Sequence, residues 1–133
     1  MTISSFNQIT VDQGALEHNF RLVRSMVRDN TRVLAMVKSD AYGHGLNTAA
    51  EAFARGGCDL FGVAEMCEGI ALREGGCRGD ILLFLGLEHG NIEYLFSHNL
   101  TPLLFSREDI AAVAAQAERK RKKLAIYLKF DCG

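Results

Sequence analysis

The sequence has no tryptophan, a single proline (Pro102) and no Cys-x-x-Cys pair. Cys58, Cys67, Cys77 and Cys132 do not offer the two close pairs with which a zinc ribbon builds its tetrahedral site. His18, His44, His89 and His98 are equally scattered, so no metal centre is expected. The opening Met-Thr-Ile-Ser-Ser-Phe-Asn-Gln lacks the basic and apolar segments of a signal peptide. No apolar run nears the roughly 18 residues of a membrane-spanning helix. The four cysteines therefore read as free thiols, and a cytoplasmic location is expected. Charge is nearly balanced, at a formal −1, while 48% of the residues are hydrophobic. That composition fills a core and excludes low-complexity disorder.

What is present is an alternation. Leu16, Phe20, Val23 and Val27 recur at helical spacing, which predicts a helix over 12–29. Val33 to Val37 is a continuous apolar run, typical of a strand covered on both faces. Leu46, Ala49, Ala50, Phe53 and Ala54 resume the helical period, and Gly56-Gly57 ends it. The cycle continues with a strand at 60–64, a helix over 65–74, a strand at 81–85 and a short helix around Ile92, Leu95 and Phe96. A strand at 101–105 follows, then a helix opened by a variant capping box, Ser106-x-x-Asp109, and a last strand over 124–131.

Strands beginning roughly 20–26 residues apart suit successive βα units of a parallel sheet. Such units wind into an open doubly wound sheet or into a barrel. The lack of a Gly-x-Gly-x-x-Gly turn after any strand counts against the dinucleotide-binding version. The expected fold class is α/β: the N-terminal portion of a (β/α)8 barrel, with parallel strands near 33–38, 60–64, 81–85, 101–105 and 124–131. A full barrel takes roughly 250 residues. The chain is therefore expected to be one piece of a longer polypeptide, with a free-standing open sheet as the alternative.

Chemistry concentrates in Val37-Lys38-Ser39-Asp40-Ala41-Tyr42-Gly43-His44-Gly45. Lys38 follows an apolar strand directly, at the end where barrel enzymes keep their sites. A lysine there becomes a nucleophile toward carbonyl carbon when its surroundings disfavour the ammonium. Gly43 and Gly45 allow a tight turn with positive φ before the next helix.

These nine residues closely resemble the pyridoxal-phosphate lysine motif of alanine racemases. The resemblance extends to Asp12–Asn19, to Gly62–Gly76, to Asp80–Gly86 and to Tyr127–Gly133, the last like the start of Leu-Lys-x-Asp-x-Gly-Met-x-Arg. It spans essentially the whole chain but only the first third or so of a family member. The resemblance implies that Lys38 holds pyridoxal 5'-phosphate covalently and serves as the base on one face of the substrate Cα. It implies that Tyr42 hydrogen-bonds the cofactor phosphate, that Leu85 packs near the cofactor, and that Lys129 is a candidate for carbamylation. It further implies the interconversion of L- and D-alanine for peptidoglycan by a homodimer. Its second base is a tyrosine from a C-terminal β domain of the partner subunit. That domain and the remaining barrel strands lie outside these residues, so the chain alone is expected to be inactive. Ser39, where alanine is common, and Cys132, where threonine is frequent, depart harmlessly from the pattern.

Lys129 also has a reading of its own. In the last strand Leu124, Ile126, Leu128 and Phe130 share one face, expected to pack on helices. Ala125, Tyr127, Lys129 and Asp131 share the other, where the lysine either becomes an anion by carbamylation or pairs with Asp131 or another carboxylate. Rival readings are another barrel-type pyridoxal-phosphate enzyme, such as a broad-specificity racemase, and a non-catalytic half barrel that associates through its open sheet edges. The basic run Arg119–Lys123 resembles a phosphate-binding patch, yet it sits at a helix C-terminus, where the dipole favours cations. No nucleic-acid or membrane partner is expected.

Overall fold

The computed structural model describes residues 7–133. In chain order the elements are α1 (Gln13–Ser25), β1 (Ala35–Met36), α2 (Lys38–Gly43), α3 (Leu46–Arg55), β2 (Leu60–Val63), α4 (Met66–Glu74) and β3 (Asp80–Leu83). A 3-10 turn at His89–Asn91 then leads to α5 (Glu93–Ser97), β4 (Leu100–Leu104), α6 (Arg107–Lys120) and β5 (Tyr127–Leu128).

All four strand pairings are parallel, and the sheet order is β1-β2-β3-β4-β5. A doubly wound sheet reverses its strand order at a switch point, whereas a (β/α)8 barrel adds each strand beside the last. The sequential order decides for the barrel.

Alternation along the strands gives two faces. Ala35, Phe61, Val63, Ile81, Leu83 and Leu104 are buried on the face covered by helices. On the other face Gly62 sits in register with Met36 and Leu82. A Cβ at Gly62 would lie only 2.8–3.0 Å from the ends of Leu34, Met36 and Phe84. Glycine there lets three large side chains close over the sheet.

The N-terminal ends of the strands are tied by charge. The Arg32 guanidinium, just ahead of β1, meets Asp59 Oδ1 at 3.2 Å and Asp80 Oδ2 at 2.9 Å, so it touches the starts of all three leading strands. Arg73, near the end of α4, donates to four carbonyls: Cys77 at 2.6 Å, His98 at 2.9 Å, Asn99 at 3.0 Å and Gly79 at 3.1 Å. One half-buried side chain thus joins the turns that lead into β3 and β4.

Several expectations need correction. The first helix stops at Ser25, short of Val27, because Arg24 curls over the end and donates to the carbonyls of Arg28 and Asp29. Ser106 caps Asp109 N–H at 3.0 Å, while the Asp109 carboxylate binds His89 Nε2 at 2.7 Å. The last strand pairs only at Tyr127 and Leu128, and its apolar face is not packed on helices. Leu124 alone joins the core, while Ile126, Leu128 and Phe130 are exposed. The basic run ends α6 as expected, with Arg121 in a left-handed cap and Lys120 Nζ 5.9 Å from the Phe96 ring centre.

Candidate active site

The segment after β1 takes an unusual course. Ser39, Asp40, Ala41 and Tyr42 have φ of 53°, 54°, 51° and 56°, so α2 is a left-handed turn built from four non-glycine residues. Each L-residue there costs roughly 1–2 kcal/mol relative to a right-handed turn. Gly43 and Gly45 continue at φ 89° and 86°, as the sequence suggested.

Hydrogen bonds hold the turn. Ala41 N–H donates to Val37 O at 2.9 Å, and Gly45 N–H to Asp40 O at 3.0 Å. The Asp40 carboxylate accepts Leu46 N–H at 2.7 Å and so caps the start of α3. Glu68, from α4, accepts Ser39 N–H at 2.6 Å through Oε1. Its Oε2 accepts Ala64 N–H at 2.8 Å and Glu65 N–H at 3.2 Å.

Lys38 is half-buried at the head of this turn, and Tyr42 stands at its end, 61% exposed. The fold places these two on one short element. Leu85 follows β3 at the same end of the sheet and is 67% exposed. It lines a surface cavity of about 340 Å³ with Ala64, Glu65, Ile70, Glu88 and Tyr94, which neither Lys38 nor Tyr42 borders. Lys129 lies just past β5, its N–H bonded to Leu104 O at 2.8 Å. β5 is four strand spacings from β1, roughly 19 Å along the sheet. All four residues therefore share the C-terminal end, but only Lys38 and Tyr42 share one element. Among the described residues Lys129 makes no ion pair, and Asp131 accepts Gly133 N–H at 3.1 Å instead.

Two residues that hold the turn, Asp40 and Glu68, escaped the sequence reading. For Glu68 a signal was available: Glu65-x-x-Glu68 ahead of an apolar run follows the spacing of a capping box. Among the described residues no group of three His, Cys, Asp or Glu could hold a metal ion, and no helix is long and apolar enough to cross a membrane.

The family model of the alanine racemase N-terminal domain matches residues 11–133, the Lys38 turn included. The chain belongs to this family. The alanine racemase of Geobacter sp. (strain M21) is 39% identical over 127 residues, covering 94% of this chain and 34% of that protein. The alanine racemase of Helicobacter pylori (strain G27) is 34% identical over 125 residues, covering 94% and 33%. Among solved structures, alanine racemase from E. faecalis superposes with a TM-score of 0.87 at 29% identity, covering 92% of this chain and 33% of that one. Alanine racemase from Bartonella henselae, solved with covalently bound pyridoxal phosphate, gives 0.80 at 30% identity, covering 87% and 32%. The chain spans about a third of the length of the curated relatives it matches.

The donor set of this alanine racemase family member suits such a cofactor. The Lys38 amine is a group that can hold a carbonyl carbon, and the Tyr42 phenol is one that can donate to a phosphate. Both stand at the open end of the sheet, where a Cβ at the neighbouring Gly43 would meet nothing within 4 Å.

Proposed function

We propose that these residues form the lysine-bearing part of a pyridoxal-5'-phosphate-dependent alanine racemase, a cytoplasmic isomerase that interconverts L- and D-alanine and supplies D-alanine for peptidoglycan. The observation that carries this reading is the pairing of Lys38 and Tyr42 on one turn at the end of β1. When bound, pyridoxal phosphate supplies the electron sink that makes an α-proton removable. Lys38 would hold it through the amine and would take or return the proton on one face of Cα. Tyr42 would donate its O–H to the phosphate. Leu85 would pack beside the cofactor from the end of β3, and a carbamylated Lys129 would serve as an anion that orients an arginine from outside these residues.

On this reading residues 1–133 are part of a barrel domain, completed by further strands and a C-terminal β domain, within a homodimer. Racemisation needs a proton donor or acceptor on each face of Cα, and this chain contributes one. The purified chain is expected to give no interconversion of alanine enantiomers in a chiral assay.

The direct test is incubation with pyridoxal phosphate, reduction with borohydride and peptide-level mass spectrometry. Preferential labelling of Lys38 is the expected result. Label spread evenly over the lysines would show that these residues do not hold the cofactor.

A further inference from the structure

We propose that Glu68 is the positioning residue that holds the Lys38 turn in its left-handed form. The carboxylate does more than a capping box requires. Its Oε2 bond to Glu65 N–H belongs to the start of α4, but Oε1 reaches out of that helix to Ser39 N–H at 2.6 Å. Ser39 is the first residue with positive φ and directly follows Lys38. A single side chain therefore fastens the turn after β1 to the turn after β2, where it also takes Ala64 N–H at 2.8 Å.

The physical need for this bond follows from the turn itself. Four successive L-residues at positive φ favour return to a right-handed path. With no acceptor at Ser39, its N–H turns to water and the Lys38–Ser39 peptide rotates. The lysine side chain and Tyr42 then lose their common platform. The carboxylate suits the task because both its oxygens accept. A glutamine in its place would set an NH2 group against an N–H at one of the two turns. The link from turn to chemistry rests on the reading of Lys38 as the cofactor-holding amine, whereas the holding of the turn does not.

The test uses the 133-residue chain and needs no cofactor for its first readout. Residue-resolved amide exchange and backbone chemical shifts are measured for the unsubstituted chain, for Glu68→Ala, and for Glu68→Ala combined with Ser39→Gly. Loss of a hydrogen bond to a charged acceptor should raise exchange at Ser39 roughly ten- to a hundredfold. The shifts of Ser39–Tyr42 should move toward right-handed values, with β3 amides still protected. Glycine at 39 carries no penalty at positive φ, so it should restore the left-handed shifts. A residue that merely caps α4 would loosen only the first turn of that helix, and glycine at 39 would rescue nothing. Unchanged exchange and shifts at Ser39 in Glu68→Ala would overturn the proposal.

Should Glu68→Ala fail to fold, as lost protection in β3 would reveal, Glu68→Met, which keeps the length of the side chain but offers no acceptor oxygen, takes its place. Faster exchange at Ser39 then supports the proposal, and unchanged exchange overturns it. Reductive labelling with pyridoxal phosphate supplies the second readout. Lys38 labelling lost in Glu68→Ala and regained with Ser39→Gly extends the role of Glu68 to the amine. A turn that loosens while Lys38 of the unsubstituted chain takes no preferential label leaves Glu68 in place and removes the cofactor reading alone.

Discussion

The two ends of the sheet are built on opposite terms. At the N-terminal ends of the strands, Arg32 and Arg73 spread their guanidinium groups over two carboxylates and five carbonyls, and every contact favours the folded chain. At the C-terminal ends the backbone is strained at Ser39–Tyr42, and Tyr42, Leu85 and Phe105 are exposed. Parallel βα sheets keep their chemistry at that second end. The comparison teaches that one end secures the fold while the other holds reactive groups in a geometry that the chain would not choose unaided.

The largest effect should come from Arg73→Ala. Removing a charged donor from four carbonyls is expected to cost about 3 kcal/mol, seen as a lower urea midpoint with an unchanged m-value. Arg73→Lys should recover little, since an ammonium cannot span four acceptors in the guanidinium plane. Arg32→Ala should cost no more than about 1 kcal/mol, and less in high salt, because that cluster is partly exposed. At the other end the sign reverses. Ser39→Gly should stabilise the chain by about 0.5–1 kcal/mol by relieving a positive φ. A destabilised Ser39→Gly chain would mean that the C-terminal end carries no such strain.

A pH effect sharpens the same contrast. Burial pushes the Cys58 and Cys77 thiols up from their ordinary value near 9.0. The unfolded chain loses those protons first, so the folded state binds more of them as pH rises through the ordinary value. Stability should be fully present below it and fall as pH climbs toward the raised folded values. Urea midpoints taken at about pH 8, 9 and 10 should decline, and Cys58→Ala should flatten the decline. Both thiols lie ahead of strands, one before β2 and one before β3, so the loss belongs to the well-secured end.

Much of the secured end was legible. The runs at 33–37, 60–64 and 81–85 mark strands because a strand covered on both faces needs apolar residues at every position. Arg73 was less legible: a basic residue late in a helix looks like a solvated charge, and its four acceptors come from turns 4–26 residues away. The left-handed turn left little signal in its own residues: aspartate tolerates positive φ, but serine, alanine and tyrosine give no local reason for it. The flanking Gly43 and Gly45 were the stronger hint. β5 was overestimated because alternation over 124–131 describes what the residues favour, while pairing depends on the neighbour. β4 offers partners only at Leu103 and Leu104.

The buried Cys58 has a practical use. Its Sγ–H donates to Leu60 O at 3.2 Å beneath the sheet, whereas Cys67 and Cys132 are exposed. A chain without tryptophan offers no indole fluorescence to follow, but a thiol reagent can stand in for it. Cys67 and Cys132 should react at once, and Cys58 only when the secured end opens. The lag between the two phases would time that opening in the unsubstituted protein.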